Sequence, residues 1–570
     1  MGYDLKIVGG DIVDGSGGPR RRGDIGIKDG KVVAVGEAPE LAAQTVDAAG
    51  MIVSPGFVDV HTHYDAQVLW DPMLTISPWH GVTTVVVGNC GFGVAPTRPE
   101  HRDLVLRTLE RVEGMSLAAL KAGIGPDWPF QTFPQYMDAL ERQPLGINVA
   151  VMVGHTPVRL SVMGDEATLR TATPAEVAEM KGIVAEAMEA GAVGFATSVS
   201  KVHLGYAGRP VPSRLAAFDE MLEIADAVGK SGHGLIHYNV GREPRWEEYE
   251  ALHARSGRPV VWTALLAGSL GPGSHREHLE KSGAQIARGL PIYAQGACRP
   301  IQMEFDFRSP VVFDTWASFE RVREASDEAA RRAVYADPAF RARVKRQVAG
   351  PGPDDQFFMG KEREADTRRA SFHDLTISAA PDAAMVERKL GDLARERGVD
   401  PVDLMFDLAL QSDLRVRFRV SLLNFVEDEV REIVQDPNVL IALGDGGAHM
   451  SQLCDACYAT HLLGHWVRED EAITLEQAVR QLTSRPAEIF GLADRGRLAV
   501  GLPADVVVFD PNTVGAGALE RVHDLPAGED RLISRPKGIK AVIVNGSLLP
   551  EPGTVPDQAS GRLLRQRREA

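Results

Sequence analysis

The sequence predicts an α/β fold: a (β/α)8 TIM-like barrel with a small β-sandwich domain built from both chain termini. Three observations predict it. The middle of the chain alternates short apolar runs with helical stretches, which is typical of parallel strands joined by helices. Both ends are rich in short strands and turns. The length of 570 residues is ample for a barrel and a smaller domain.

The candidate barrel strands are short apolar runs, with helical stretches such as residues 174–190, 215–229 and 247–254 between them. After the runs that end at Val60 and Cys90, the strands are Ile147 to Val153, Ala192 to Phe195, Gly234 to His237, Pro259 to Thr263, Pro291 to Ala294 and Val439 to Leu443. About eight such strands fit a barrel, whose catalytic residues lie at the C-terminal strand ends.

Both ends of the chain carry hairpin signals. Leu5 to Val8 is a short strand near the start, and Ile539 to Val544 is a strand followed by the turn pair Asn545-Gly546. Because two β-rich ends flank one large middle, we expect the termini to meet in one domain. The predicted domains are residues 1–55 with 500–550 for the β-sandwich, and 56–499 for the catalytic barrel.

One segment, at about residues 305–369, interrupts the alternation of strands and helices. It is rich in charge and in aromatic residues, namely Phe307, Phe313, Trp316, Phe319, Phe340, Phe357 and Phe358. We interpret it as an insertion in the barrel. Two interpretations stay open: a cover over the barrel mouth, or a surface excursion with no catalytic part.

Composition excludes several classes of protein. The net charge of −16 argues against a nucleic-acid partner, and the short Arg-rich stretch from Arg562 to Arg568 is interpreted as a frayed terminus. Four cysteines are too few for a disulfide scaffold, and Cys454-x-x-Cys457 has no second pair to complete a zinc site. No long apolar run predicts a membrane span, and Met1 to Lys6 lacks a signal-peptide core. We therefore expect a cytoplasmic protein.

Candidate metal ligands follow the first two barrel strands. His61 and His63 end an apolar run, and their side chains point the same way because strand side chains alternate. Two imidazoles at a strand end can share one metal ion. Cys90 ends the next β-branched run, among glycines that let the backbone approach a ligand closely. Taken alone, His61 and His63 are also compatible with an exposed pair of histidines at a strand end. Taken alone, Cys90 is also compatible with a small buried apolar residue.

Two further candidates end later strands. His237 follows Gly234 to Ile236, and Asp445 follows the run that ends at Gly444. A carboxylate after an apolar strand suits a metal ligand that also acts as a general base. Taken together, the metal ligands would be His61, His63, Cys90, His237 and Asp445, with Asp445 as the catalytic residue.

Motifs spread over nearly the whole chain carry a resemblance to a known family: Gly56 to Asp65, Gly81 to Gly91, Gly154 to Arg159, Val162 to Gly164, Leu482 to Ala487, Gly491 to Gly496, Gly501 to Asp505, Asp524 to Pro526 and Gly538 to Gly546. With these motifs the chain resembles the amidohydrolase superfamily, and specifically its D-aminoacylase (N-acyl-D-amino-acid deacylase) branch. The resemblance implies a metal-dependent hydrolase of an amide C–N bond. In that branch a cysteine, here Cys90, takes the metal-bridging place that a carboxylated lysine holds in many relatives.

The resemblance implies a zinc cofactor of one or two ions. Zinc would be held mainly by His61, His63 and Asp445, while Cys90 and His237 complete or bridge a second position. The second position is incomplete, because the sixth strand, Pro259 to Leu265, lacks the histidine that the family carries there. His155 is a candidate for stabilising the oxyanion and also a candidate core histidine.

The chain also departs from the family beside its ligand candidates. Tyr238-Asn239 stands where the family has Met-Arg, which removes a cation near the pocket. Arg159, Arg209 and Arg299 are possible replacements for binding a substrate carboxylate. For each of the three, a structural or surface role is the more common one.

Three functions therefore stay open. The first is a zinc hydrolase that deacylates N-acyl-D-amino acids, with a small-molecule amide as its substrate. The second keeps the site and acts on another amide, a urea-like bond or a cyclic amide. The third is a barrel that has lost catalysis and serves as a binding or scaffold protein. Neither a nucleic-acid nor a membrane partner is expected, and a symmetric homo-oligomer is left open.

Overall fold

The computed structural model describes residues 2–313, 316–350, 358–359, 370–550 and 559–567. The chain divides into two compact units. The first consists of residues 1–265, 276–299 and 431–570, and the second of residues 266–275 and 300–430.

The strands are β1 Tyr3–Ile12, β2 Arg21–Lys28, β3 Lys31–Gly36, β4 Ala42–Asp47, β5 Ile52–Pro55, β6 Phe57–Asp59, β7 Val82–Val87, β8 Asn148–Gly154, β9 Gly194–Ser198, β10 Leu235–Asn239, β11 Val260–Leu265, β12 Ile292–Gly296, β13 Ile301–Phe305, β14 Phe358–Met359, β15 Ala370–Ser371, β16 Thr376–Ala379, β17 Arg417–Leu423, β18 Leu440–Ile441, β19 Val506–Phe509, β20 Gly515–Val522, β21 Arg531–Lys537, β22 Ile539–Val544, β23 Ser547–Leu548 and β24 Leu563–Leu564.

The helices are α1 Arg102–Glu113, α2 Leu117–Ile124, α3 Phe133–Arg142, α4 His155–Met163, α5 Pro174–Glu189, α6 Phe218–Ser231, α7 Trp246–Ser256, α8 Ser274–Ala287, α9 Glu320–Arg323, α10 Glu328–Ala336, α11 Pro338–Ala349, α12 Leu390–Arg397, α13 Pro401–Gln411, α14 Glu427–Gln435, α15 Tyr458–His461, a π-helix Leu462–Glu469, α16 Leu475–Leu482 and α17 Ser484–Ile489.

Eight parallel strands form the barrel of the first unit. Their order is β6-β7-β8-β9-β10-β11-β12-β18, so neighbours in sequence are neighbours in space. Strands β7 to β10 are buried along their whole length, which explains their continuous apolar sequences. Each run predicted as a barrel strand overlaps one of these strands, and the predicted fold class is confirmed.

The helix predicted at 174–190 shows why the intervening segments are helical. The Thr173 side chain accepts a hydrogen bond from the Glu176 N–H, and the Glu176 carboxylate accepts one from the Thr173 N–H. Pro174 occupies the first helical position, where it has no N–H to leave unpaired. This capping box fixes the start of α5.

Both chain ends contribute to one separate sheet of the first unit. Its order is β23-β22-β19-β5-β1-β2-β3, and β4 pairs with β1. Strand β19 joins the two ends because it lies antiparallel between β5 and β22. The apolar core beside it includes Leu5, Ile27 and Val506. The predicted boundaries, 1–55 with 500–550 and 56–499, stay a prediction.

The second unit contains the predicted insertion, of which residues 314–315, 351–357 and 360–369 lie outside the described residues. Its sheet has the order β13-β17-β16. Five of the aromatic residues predicted for the insertion are buried in the core of this unit: Phe307, Phe313, Trp316, Phe319 and Phe340. Phe357 is outside the described residues. The interpretation of the segment as a cover for the barrel mouth stays a prediction.

The interpretation of the stretch from Arg562 to Arg568 as a frayed terminus is wrong for residues 562–567, a segment that pairs with the barrel, while Arg568 lies outside the described residues. Strand β24 lies parallel to the start of β8, and the Val149 N–H donates to the Arg562 carbonyl. Leu564 packs against the apolar interior of the barrel, and Arg565 pairs with Asp138 and Glu141. The arginines predict solvent exposure, yet they flank Leu563 and Leu564, which are both partly buried, and Leu564 packs against the barrel core.

A buried histidine makes the first unit sensitive to acid. His80 lies between Thr460 Oγ1, 2.7 Å from Nδ1, and the Ser534 carbonyl oxygen, 2.8 Å from Nε2. Burial lowers the pKa of His80 from 6.5 to about 4. Because this pKa is below that of the unfolded chain, stability is full above pH 6.5 and falls as the pH drops toward 4.

At pH 5 this histidine is expected to reduce the free energy of unfolding by about 2 kcal/mol relative to pH 7. The difference in Tm between pH 7 and pH 5 should therefore shrink in His80→Gln. The exposed His523 gives the control, since His523→Gln should keep the wild-type difference. An unchanged difference in His80→Gln would contradict the assignment.

Candidate metal centre

The first and last barrel strands meet at a seam that carries three of the predicted ligands. Just beyond β6 and β18, the Asp445 N–H donates to the His61 carbonyl, and the His63 N–H donates to the Gly446 carbonyl. Gly444 permits this approach, since a Cβ there would lie 2.1 Å from Asp59 Oδ2. The seam brings Asp445 Oδ1 to 3.3 Å from His61 Nε2 and 3.6 Å from His63 Nε2.

Cys90 reaches the same place from the end of the second barrel strand. Its backbone adopts a positive φ of 54°, three residues after the end of β7 at Val87. The Cys90 sulphur lies 3.6 Å from His61 Nε2 and accepts a hydrogen bond from Asn239 Nδ2 at 3.0 Å. The side chains of His61, His63 and Cys90 are buried, and their donor atoms all lie within 4.8 Å of one another.

Electrostatics link these four groups. Burial alone would raise the pKa of the Cys90 thiol, yet the neighbouring His61 and His63 lower it to about 7. Burial would also raise the pKa of Asp445, and the same histidines hold it well below its usual range. The pKa of His61 is raised, because Cys90 and Asp445 outweigh the effect of its burial. Both potential anions are therefore favoured in their ionised forms.

His237, the fifth predicted ligand, lies outside this group of three. Its ring centroid is 5.3 Å from that of His61. Its Nε2 lies 3.1 Å from Thr263 Oγ1 and 3.4 Å from Gln295 Oε1. Its role as a ligand stays a prediction.

Several residues at the site have no signature in the sequence. Glu113, at the end of α1, places its carboxylate 3.2 Å from His63 Nδ1. His203 is held by Ser198 Oγ, 2.8 Å from its Nδ1, and its ring lies 5.1 Å from that of Phe92. Gln295 Oε1 lies 2.7 Å from His61 Nδ1. None of these three residues belongs to a sequence motif that predicts a metal ligand. The fold alone brings their side chains to the site.

Two of the candidate arginines have other partners. Arg159 is buried and pairs with Glu220, which also contacts His155 Nε2 at 2.8 Å. The second ring nitrogen of His155 lies 2.8 Å from Thr197 Oγ1, so His155 is a core histidine.

Arg299 donates to the Cys457 sulphur at 2.7 Å and pairs with Asp455 at 2.9 Å. Cys454 contributes its carbonyl to the same guanidinium. The Cys-x-x-Cys motif is therefore part of a buried structural cluster around Arg299. Arg209, the third candidate, is exposed.

The donor set and its spacing fit a zinc ion. Zinc prefers imidazole, thiolate and carboxylate donors. Ligand atoms at ~2.0–2.3 Å from a tetrahedral ion are themselves separated by about 3.3–3.8 Å. The distances from His61 Nε2 to Asp445 and Cys90, and from His63 Nε2 to Asp445, fall in this range at 3.3, 3.6 and 3.6 Å.

Comparison with known proteins agrees with this geometry. The family model for the amidohydrolase family matches residues 44–549. N-acyl-D-glutamate deacylase of Alcaligenes xylosoxydans xylosoxydans is 31% identical, over 99% of this chain and 96% of that protein. D-aminoacylase of the same organism is 29% identical, over 99% of this chain and 97% of that protein.

A solved structure gives the same result. N-acyl-D-glutamate deacylase from Bordetella bronchiseptica, in complex with zinc and a phosphonate inhibitor, is 28% identical with a TM-score of 0.66. The match covers 99% of this chain and 100% of that chain. The predicted resemblance to the D-aminoacylase branch is confirmed. The chain therefore belongs to the amidohydrolase family, and it is a metal-dependent hydrolase of amide bonds.

Proposed function

We propose that the protein is a zinc hydrolase that deacylates N-acyl-D-amino acids, with the ion held by His61, His63, Cys90 and Asp445. The observation that carries the proposal is the grouping of the buried donors of His61, His63 and Cys90, with Asp445 Oδ1 at 3.3 and 3.6 Å from Nε2 of the two histidines. The substrate class is supported by the relatives named N-acyl-D-glutamate deacylase and D-aminoacylase, which match nearly the whole chain.

The chemistry that a bound zinc ion supplies is polarisation of the amide carbonyl and acidification of a water molecule. Asp445 is the proton carrier. Its low pKa keeps it unprotonated at neutral pH, and its side chain keeps 18% of its surface exposed, so a water can reach it. It accepts the proton of the attacking water and donates it to the leaving nitrogen.

Other side chains keep the reacting groups in place. The Glu113 carboxylate beside Nδ1 of His63 fixes the orientation of that imidazole, so that Nε2 faces Asp445. Asn239 donates to the Cys90 sulphur, which stabilises a thiolate at this position. These contacts preorganise the donors before substrate binds.

The second candidate function, hydrolysis of another amide or of a cyclic amide, is favoured by the state of the arginines. Arg159 and Arg299 are both paired with buried carboxylates, so neither offers a free guanidinium to a substrate carboxylate. A substrate without a carboxylate would need no such partner.

A substrate panel on the zinc-loaded protein tests both functions. The panel contains N-acetyl-D-amino acids, their L-enantiomers, cyclic ureides and neutral amides, with Asp445→Asn protein as the control for contaminating hydrolases. We expect hydrolysis of the D-enantiomers with release of acetate. Hydrolysis of cyclic ureides or neutral amides alone would support the second function. A folded, zinc-loaded protein that hydrolyses nothing would contradict both and favour the scaffold function.

The proposal also covers the substrates, the cellular compartment and the assembly of the enzyme. Its partners are small-molecule amide substrates, as expected of amidohydrolases. In the described part of the chain no helix combines the length and apolarity that crossing a bilayer requires. We place the enzyme in the cytoplasm because its cysteines are few and free. Assembly into a homo-oligomer stays a prediction.

A further inference from the structure

Gln295 occupies the centre of a buried hydrogen-bond chain beside the proposed zinc site. It ends the seventh barrel strand and is fully buried. Its Oε1 lies 2.7 Å from His61 Nδ1, and Thr263 Oγ1 donates to the same oxygen at 2.7 Å. A glutamine in a barrel interior is costly unless its polar atoms are used.

These contacts fix the protonation of the His61 ring. An amide oxygen only accepts hydrogen bonds, so the Nδ1 of His61 carries the proton. In the neutral ring the lone pair is then on Nε2, which faces Cys90 and Asp445. A histidine that binds a metal through one nitrogen commonly donates its other N–H to such a partner, which sets the orientation of the ring.

The same series of hydrogen bonds also engages the imidazole ring of His237. Because the Thr263 hydroxyl donates to Gln295, its oxygen is left to accept from His237, whose Nε2 lies 3.1 Å away. Nε2 of His237 is therefore an N–H and offers no lone pair to an ion. Thr263 lies on the sixth strand, where it stands beside Asn239 of the fifth.

We propose, on the basis of the zinc hydrolase function above, that Gln295 is a positioning residue of the centre and that the protein binds one zinc ion. Gln295 presents Nε2 of His61 to the ion. Together with Thr263 it holds His237 by hydrogen bonds, so Nε2 of His237 is not available to a second ion.

Zinc titration of the apo protein against a competing chelator measures both the number of zinc ions bound and their affinity. Wild-type protein should bind one equivalent tightly. Gln295→Leu should bind it 10- to 100-fold more weakly, the usual cost of losing such a partner of a ligand histidine. Gln295→Glu should restore the affinity, since a carboxylate also accepts from Nδ1. The matched control is Gln285→Leu, a buried glutamine that donates to Glu250 on the outer side of the barrel.

A gain-of-site variant tests the second half of the proposal. Thr263→His removes the hydroxyl that holds His237 and adds an imidazole beside it, so a second equivalent of zinc should bind. Thermal unfolding of each apo variant verifies that it is folded. One equivalent in folded Thr263→His would overturn the role of Thr263.

Two other results would overturn the inference alone: two tight equivalents in the wild type, or wild-type affinity in Gln295→Leu. Both leave the proposed hydrolase function intact if the wild type turns over substrate. A wild-type protein that neither binds zinc nor hydrolyses an amide would instead refute the proposed function itself.

Discussion

Asp445→Asn is expected to lower kcat by about 10²- to 10⁴-fold, the contribution of a general acid–base group. The amide keeps the size of the carboxylate and one oxygen toward the histidines, yet it cannot take a proton from water. Because the loss falls on proton transfer, KM should change little. Steady-state kinetics on the zinc-loaded variant, with its zinc content measured in parallel, give the result.

The control for this prediction is Asp103→Asn, which changes an exposed carboxylate on α1. It should have wild-type kinetics. Asp445→Asn with normal turnover would refute its role as proton carrier. If turnover falls only in proportion to lost zinc, Asp445 acts as a ligand and the proton is carried by another group.

Cys90→Ala is expected to weaken zinc binding by more than ~100-fold, beyond the loss caused by removing a partner of a ligand. The thiol is surrounded by His61, His63 and the Asn239 amide, all of which favour its ionised form. An alanine removes the donor and leaves these groups without the anion. Zinc content by plasma mass spectrometry, on protein purified without chelator, measures the effect.

Cys298→Ala is the matched control, because Cys298 is also a buried cysteine and its sulphur donates to the Tyr458 carbonyl instead of facing the site histidines. It should keep the zinc of the wild type. Equal zinc in Cys90→Ala and wild type would exclude the thiol from the centre. The remaining donors would then be the two histidines and Asp445.

Much of the site could be predicted because parallel strands end at one rim of a barrel. His61, His63, Cys90 and Asp445 each follow an apolar run, so their convergence needs only the fold class. Glu113 and Gln295 could not be predicted in this way. One lies at the end of a helix and the other is a glutamine in a strand, and neither type signals a contact with a histidine.

The C-terminal segment escaped prediction for a different reason. Leu563 and Leu564 are too few to show a strand period, and the surrounding arginines are typical of solvent-exposed tails. The ion-pair partners of Arg565, Asp138 and Glu141, lie far away in the sequence on α3. Composition describes the segment in isolation. Its burial depends instead on pairing with the start of β8, a strand that is distant in the sequence.

The seam between β6 and β18 bears on the order in which the protein folds and binds its metal. It pairs His61 and His63 with Asp445 across nearly the full span of the barrel, a contact of very large sequence separation. Such contacts carry a high entropic cost of loop closure and form late in folding. A chain in which this seam has not closed lacks the complete proposed donor set, so zinc held as proposed would favour the closed barrel and shift the folding equilibrium toward the native state. Zinc uptake would then report the final closure of the chain.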